Sequence, residues 1–374
     1  MMSMRNESPI LALTMGDPAG VGPEIIAGAW PFFFTETQPE GTKSASKQGK
    51  PLSGEPMLLA RPVVFGHPEI IRQAFRLRKI DAEIVPIDTL ESLEHYDGLF
   101  GLNRVPCVPC CNDSAVSVPH GEISAEAGDA AFKTLNRAID FALAGKVDAI
   151  VTAPLHKKSL NLAGHHFPGH TEILATRCGI DDYAMMLYLG PQEGLASPTG
   201  LAVVHVTLHT AMKNVFAQIT REAVLAKSHL IRNFMRPIKG SEPRIGVAAL
   251  NCHCGDNGLF GDEEIRIIGP AVAQAQKENL IIAGPSPTDT LMLDAKNGLY
   301  DGIVAMYHDQ GHIAIKLLGM HRAVNVTLGL PVIRTSVAHG TAFNIAWQGI
   351  AKISSMLEAV RVAMLLAEEK KQKL

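Results

Sequence analysis

The 374-residue chain contains no apolar stretch approaching the roughly 20 consecutive residues that cross a bilayer, and its AWPFFF run from Ala29 to Phe34 is broken by Pro31. The first residues carry Arg5 and Glu7 without the apolar run of a secretory signal, so a cytoplasmic protein that engages no membrane is expected. There is neither a dense block of lysine and arginine nor an acidic tail, and the formal net charge is -3, which excludes a chain built chiefly to bind nucleic acid. Cysteine is sparse. Six in 374 positions make no disulfide framework, and a reducing compartment keeps them as thiols. Cys107 and Cys110 stand in CxxC spacing with Cys111 adjacent, but the other tight pair, Cys252 and Cys254, flanks His253, so a cysteine-based structural zinc is not expected.

What is present is a large apolar fraction, 47%, with only 19% charged residues, as in a compact protein that buries a sizeable core. The length favours two domains or one elaborated α/β unit. Short runs rich in Val, Ile and Leu alternate with longer amphipathic stretches, the signature of βα units around a largely parallel sheet. Strands are expected at Ile10 to Thr14, Val63 to Phe65, Ala149 to Thr152, Leu201 to Leu208, Ile245 to Leu250, Gly302 to Met306 and Val324 to Thr327. Helices are expected from Ile123 to Leu143, closing near Gly145, and from Ser354 to Leu366. The polar segment Thr35 to Pro56 has no periodicity and reads as a surface insertion.

Three histidines end strand-like runs: His209 in LAVVHVTLHT, His253 in RIGVAALNCHC and His308 in DGIVAMYHDQG. The carboxyl ends of strands are where α/β sheets bind ligands, and three imidazoles there suit a divalent metal with an open position. His205, inside the first run, reads instead as a hydrogen-bonded core residue. The turn Gly16-Asp17-Pro18-Ala19-Gly20-Val21-Gly22-Pro23-Glu24 follows the first strand and opens a helix. It is either a plain tight turn or a close approach to a ligand, and it matches neither GxGxxG nor a P-loop. PGHTE, from Pro168 to Glu172, places donors at a helix start that favours an anion, unless Thr171 is simply a cap. Lys316, Asn325 and Arg334 follow His308 closely, and such a set suits a phosphorylated small molecule, the alternative being surface cations that snorkel.

Five segments together, TMGDPAGVGPE, PGHTE, NCHCGDNGLFGDEE, MYHDQGHIAIK and NVTLGLPVIRTSVAHGTAFNIA, resemble in order the motif series of the 4-hydroxythreonine-4-phosphate dehydrogenase family. The resemblance spans nearly the whole chain apart from the insertion. It implies an α/β, two-domain fold similar to isocitrate and isopropylmalate dehydrogenases, with the active site in the interdomain cleft. Residues 1–154 and 323–374 would form a discontinuous dinucleotide-binding domain, and 155–322 a substrate, metal and dimerisation domain. It further implies a homodimer with shared active sites. By motif, His209, His253 and His308 match metal ligands, and His170, Thr171, Lys316, Asn325 and Arg334 match substrate-binding positions. His339, Gly340, Thr341, Ala342, Asn344 and Ile345 match a dinucleotide-adenosine loop. Cys252 and Cys254 replace the usual proline and alanine beside the metal histidine, Ala338 stands where an aspartate is common, and Asn344 where relatives often carry an acid. His312 and the Ile-Ala-Ile-Lys run are similar to a branch handling sugar-acid phosphates.

The activity so implied is a metal-assisted oxidative decarboxylation of 4-hydroxythreonine 4-phosphate with NAD, or NADP, as hydride acceptor. The metal expected is zinc, with magnesium, manganese or cobalt as alternatives. Asp309 and Asp289 are the candidate catalytic bases. Dehydrogenation of D-threonate or D-erythronate 4-phosphate is the first alternative, and a metal-dependent hydrolase or lyase the second.

Overall fold

The computed structural model describes residues 8–34, 60–87 and 100–372. The Thr35 to Pro56 insertion lies outside them. In chain order the first segment comprises β1 (Ile10–Thr14), α1 (Gly22–Ala29), β2 (Arg61–Gly66), α2 (Pro68–Leu77), β3 (Glu83–Pro86), β4 (Arg104–Pro109), α3 (Ala125–Leu143), β5 (Ala149–Thr152), α4 (Lys157–Leu162) and α5 (His170–Cys178). The middle comprises β6 (Ala184–Leu189), β7 (Leu201–His205), α6 (Met212–Gln218), α7 (Arg221–Lys239), β8 (Arg244–Ala248), α8 (Gly269–Lys277), β9 (Ile281–Ser286), α9 (Thr288–Lys296), β10 (Gly302–Ala305), α10 (His308–Gly319) and β11 (Val324–Leu328). The chain closes with β12 (Ile333–Val337) and α11 (Ser354–Gln372). The architecture is α/β, as expected.

Two compact units result: Met1–Asp181 with Leu330–Leu374, and Asp182–Gly329. The joints fall later than 154/155 and 322/323, the positions the resemblance implied. Leu160 of α4 and Ile173 and Leu174 of α5 are buried in one core with Phe65, Leu135, Ile139 and Ile150, which keeps both helices in the first unit. Each such side chain contributes about 1.5–3 kcal/mol through burial. At the other joint, β11 pairs antiparallel with β6 and so stays in the second unit.

In the first unit the strand order is β3-β4-β2-β1-β5-β12, and the pairs are parallel throughout. The order reverses beside β1, between β2 and β5, so the carboxyl ends of β1 and β5 flank a topological switch point. In the second unit the order is β11-β6-β7-β10-β8-β9, antiparallel as far as β7 and parallel from β7 to β9. The loops that follow β7, β10, β8 and β9 therefore leave the same edge.

β1 and β5 begin and end where their patterns predict, because each is an apolar run buried on both faces. β7 stops at His205, short of Leu208, although Val206 and Thr207 still donate to the Ala305 and Met306 carbonyls. β4, with two prolines, β6, with no β-branched residue, and β9, with an internal Gly-Pro, carry weak strand signals and escape the pattern. α3 is capped by the Ser124 hydroxyl accepting from Ala127 N, and Gly145 follows it at φ +67°. The C-terminal helix runs on to Gln372, past the expected Leu366.

Candidate functional site

At the parallel edge of the second unit, β10 feeds directly into α10, so His308 and Asp309 occupy that helix's first turn. The carboxylate Oδ1 of Asp309 lies 2.6 Å from Nδ1 of His308. With its proton on Nδ1 donated to that carboxylate, the ring carries its lone pair on Nε2, the arrangement of a metal-ligating imidazole. The His209 ring stands 6.1 Å from His308, centroid to centroid. His308 also stacks on His312 at 3.7 Å, and His312 Nδ1 is 3.1 Å from His205 Nε2. Burial, with the nearby imidazoles, pushes His205 down to about 4 and His312 down to about 3, so both are neutral at physiological pH. His205, whose Nδ1 faces the Met185 carbonyl at 3.4 Å, is the hydrogen-bonded core residue its position suggested.

His253 stands elsewhere on this edge. It sits beyond β8 in a run of left-handed residues, His253, Cys254, Asp256 and Asn257, held by the buried carboxylate of Glu264. That carboxylate accepts from Leu250 N at 2.8 Å, Asn251 N at 2.7 Å and Asn251 Nδ2 at 3.0 Å. His253 lines a cavity of about 620 Å³ with Asn251, Thr288, Asp289, Tyr307, Asp309 and Gln310, and apolar residues such as Met292 and Leu317 complete the wall. Both candidate bases, Asp289 and Asp309, thus face one space with His253. Among the described residues no three His, Cys, Asp or Glu side chains come close enough to hold a metal ion. His209 and His308 stand near one another, and His253 lines the cavity beside them. The donors are imidazoles, and His308 has its ring nitrogen oriented, so the chemistry of the set fits a divalent metal. Lys316 is exposed on α10, and Asn325 on β11 has a buried Oδ1 with no partner among the described residues, an acceptor suited to a hydroxyl or ammonium group.

In the first unit, Gly16 and Gly22 make the strand-to-helix turn possible. A Cβ at Gly16, where φ is +70°, would lie 2.2 Å from Pro154 O, and one at Gly22 would lie 2.1 Å from Met15 O. The turn is also a platform. Val21 N donates to Thr341 O at 3.0 Å, Trp347 Nε1 to Pro18 O at 2.8 Å and Gly349 N to Glu24 at 3.0 Å. The His339–Ile345 loop is therefore fastened onto the glycine-rich turn, with Ala342 at φ +44° and Phe343 stacked on His156 at 4.9 Å. His339 Nδ1 donates to Gly340 O at 2.9 Å. Burial pushes Asp17 up to about 6, against the hydrogen bond its Oδ1 accepts from Ala19 N at 2.9 Å.

Arg334 is 2% exposed, which rules out the snorkelling surface cation. Its Nη2 and Nε donate to Thr152 Oγ1 at 2.8 and 3.2 Å. Burial lowers it to about 10, with Glu172 opposing, and it stays charged at neutral pH. Burial and the Arg334 guanidinium hold His170 well below its usual range, against a hydrogen bond to the Ala153 backbone. His170 opens α5 with Thr171 behind it, and no side chain caps that helix, so the Thr171 cap is not made. Sequence reasoning missed Gln310, Thr288, Glu264 and Trp347, whose roles lie in long-range hydrogen bonds that no local pattern carries.

The model of the family described as pyridoxal phosphate biosynthetic protein PdxA matches residues 58–363. The chain belongs to this family. It is 41% identical over 365 residues to D-threonate 4-phosphate dehydrogenase of Salmonella typhimurium, covering 96% of this chain and 100% of that one. It is 38% identical over 368 residues to 4-hydroxythreonine-4-phosphate dehydrogenase of Trichlorobacter lovleyi, covering 97% and 99%. The crystal structure of 4-hydroxythreonine-4-phosphate dehydrogenase from Klebsiella pneumoniae superposes with a TM-score of 0.77 at 39% identity, covering 97% and 99%. PdxA-family membership and the dehydrogenase relatives agree with the resemblance carried by the five motifs.

Proposed function

We propose that the chain is an NAD(P)-dependent dehydrogenase that oxidises the secondary alcohol of 4-hydroxythreonine 4-phosphate, after which the β-keto acid loses carbon dioxide. The observation that carries this is the identity to dehydrogenases of phosphorylated four-carbon hydroxy acids over nearly the full length of both chains. The relatives at 40–41% identity that act on D-threonate 4-phosphate favour a second reading, in which the substrate is a sugar-acid phosphate such as D-threonate or D-erythronate 4-phosphate.

His170, Thr171, Lys316, Asn325 and Arg334 bind the substrate. Arg334, a fork pinned on Thr152, suits a phosphate, and Asn325 accepts from a substrate donor. His339, Gly340, Thr341, Ala342, Asn344 and Ile345 receive the adenosine of NAD, or of NADP, on the loop fastened to the glycine-rich turn. Asp289 takes the hydroxyl proton, and Asp309 serves chiefly to orient His308. His209, His253 and His308 would hold a divalent ion, which supplies Lewis-acid polarisation of the substrate oxygens. Imidazole donors suit zinc best, with manganese, cobalt or magnesium as alternatives. A homodimer with shared sites is part of this reading. What supports it is the exposed Ile313 and Leu317 at the cavity wall. No described helix is long and apolar enough to cross a membrane, and a cytoplasmic enzyme remains the expectation.

The test follows NADH formation with 4-hydroxythreonine, D-threonate and D-erythronate 4-phosphates in parallel, with and without chelator. Chelator-sensitive turnover of the first supports the main reading, and preference for either sugar acid moves the enzyme to the second. Failure to reduce NAD or NADP with any of them, alongside dinucleotide-independent hydrolysis or elimination, would establish the hydrolase or lyase alternative.

A further inference from the structure

Gln310 lies in the first turn of α10, where a glutamine side chain would ordinarily extend into water. It folds back instead. Its Oε1 accepts from Met306 N at 2.8 Å, while its Nε2 donates to Ala249 O at 2.8 Å and to Thr288 Oγ1 at 3.2 Å. Thr288 Oγ1 in turn donates to the same Ala249 carbonyl at 3.2 Å. One amide thus joins three separate pieces of chain: the exit of β10, the exit of β8 and the start of α9. Each delivers a candidate functional group to the 620 Å³ cavity: Asp309 from β10, His253 from β8 and Asp289 from α9.

We propose that Gln310 is a positioning residue, which sets the spacing of Asp289, Asp309 and His253 by tying their backbones together without touching the reacting atoms. The two ends of the amide are not interchangeable. Met306 N–H requires an acceptor and the Ala249 carbonyl requires a donor, so a carboxylate of the same shape would set an oxygen against the carbonyl oxygen. A misplacement of about 1 Å costs on the order of 100-fold in rate, which is the scale on which such a tie acts. The inference rests on the proposed roles of the two aspartates, and its test therefore includes a readout that does not need them.

The experiment compares full-length Gln310→Met and Gln310→Glu with Gln192→Met, a control glutamine whose Nε2 donates to Leu318 O at 2.8 Å near the other end of α10. Amide hydrogen exchange, melting temperature, kcat and KM are measured for each. Both Gln310 variants are expected to exchange faster across 249–253, 287–290 and 306–310, and to lose about 100-fold in kcat with KM changed less than about threefold. The control should keep its kcat and KM even where its melting temperature falls. Unchanged exchange in those three segments overturns the inference whatever the activity. Faster exchange with wild-type kcat overturns it while leaving the proposed reaction intact. If the wild type turns over but Asp289→Asn and Asp309→Asn match it, the aspartate roles fall, and with them the positioning inference.

Discussion

Nδ1 of His312 and Nε2 of His205 lie 3.1 Å apart, two imidazoles in direct contact beneath the first turn of α10. Carbonyl oxygen accepts only, so the Met185 carbonyl beside His205 Nδ1 assigns that nitrogen its proton. His205 Nε2 must then accept, and His312 Nδ1 must donate. The ring of His312, so fixed, supports that of His308 by stacking. Gly311 makes the approach feasible, because a Cβ there would come 2.4 Å from His205 Nε2 and 2.6 Å from Val203 Cγ1.

Gly311→Ala should therefore destabilise the protein by about 1–3 kcal/mol through overpacking, although glycine to alanine inside a helix usually stabilises. Urea denaturation decides the sign, and a stabilised variant would refute the packing argument.

Asp17 gives a pH dependence. Burial raises its carboxyl from 3.8 to about 6, so the folded state favours the protonated acid. The stability this contributes is full below about 3.8 and is lost as pH climbs through about 6, a change on the order of 3 kcal/mol. Asp17→Asn stays neutral throughout. Its stability relative to wild type should rise between about pH 4 and pH 7; parallel stability curves over that range would show that the carboxyl is not desolvated.

Arg334→Lys keeps a charge but loses the fork on Thr152. Substrate KM should rise by at least about tenfold, with a smaller change in kcat, since a point charge replaces bidentate binding. An unchanged KM, measured under saturating dinucleotide, would remove Arg334 from the substrate site.

Asp289→Asn should lower kcat by about 100- to 10,000-fold with little change in KM, as expected for loss of a general base. Asp309→Asn should additionally weaken metal binding, followed by calorimetric titration with zinc, because Asp309 orients His308. Equal metal affinities for the two variants would count against that division of roles.

Much of this was legible along the chain. β1 and β5 are continuous apolar runs, and the histidines close such runs, so period and position alone placed them at strand exits. The strands that escaped, β4, β6 and β9, are stabilised by their neighbours in the sheet rather than by their own composition.

By itself, then, the sequence determined the alternation of strands and helices, the tight turn after β1 and the family, because each is written in local period, glycine placement or ordered motifs. Only the tertiary structure decided that Arg334 is buried on Thr152, that the His339–Ile345 loop is fastened to the Gly16–Glu24 turn, and that His253 faces the aspartates while His308 stacks on His312. Those outcomes depend on which strands become neighbours and which side chains lose water when they do, and neither is fixed until distant segments pack.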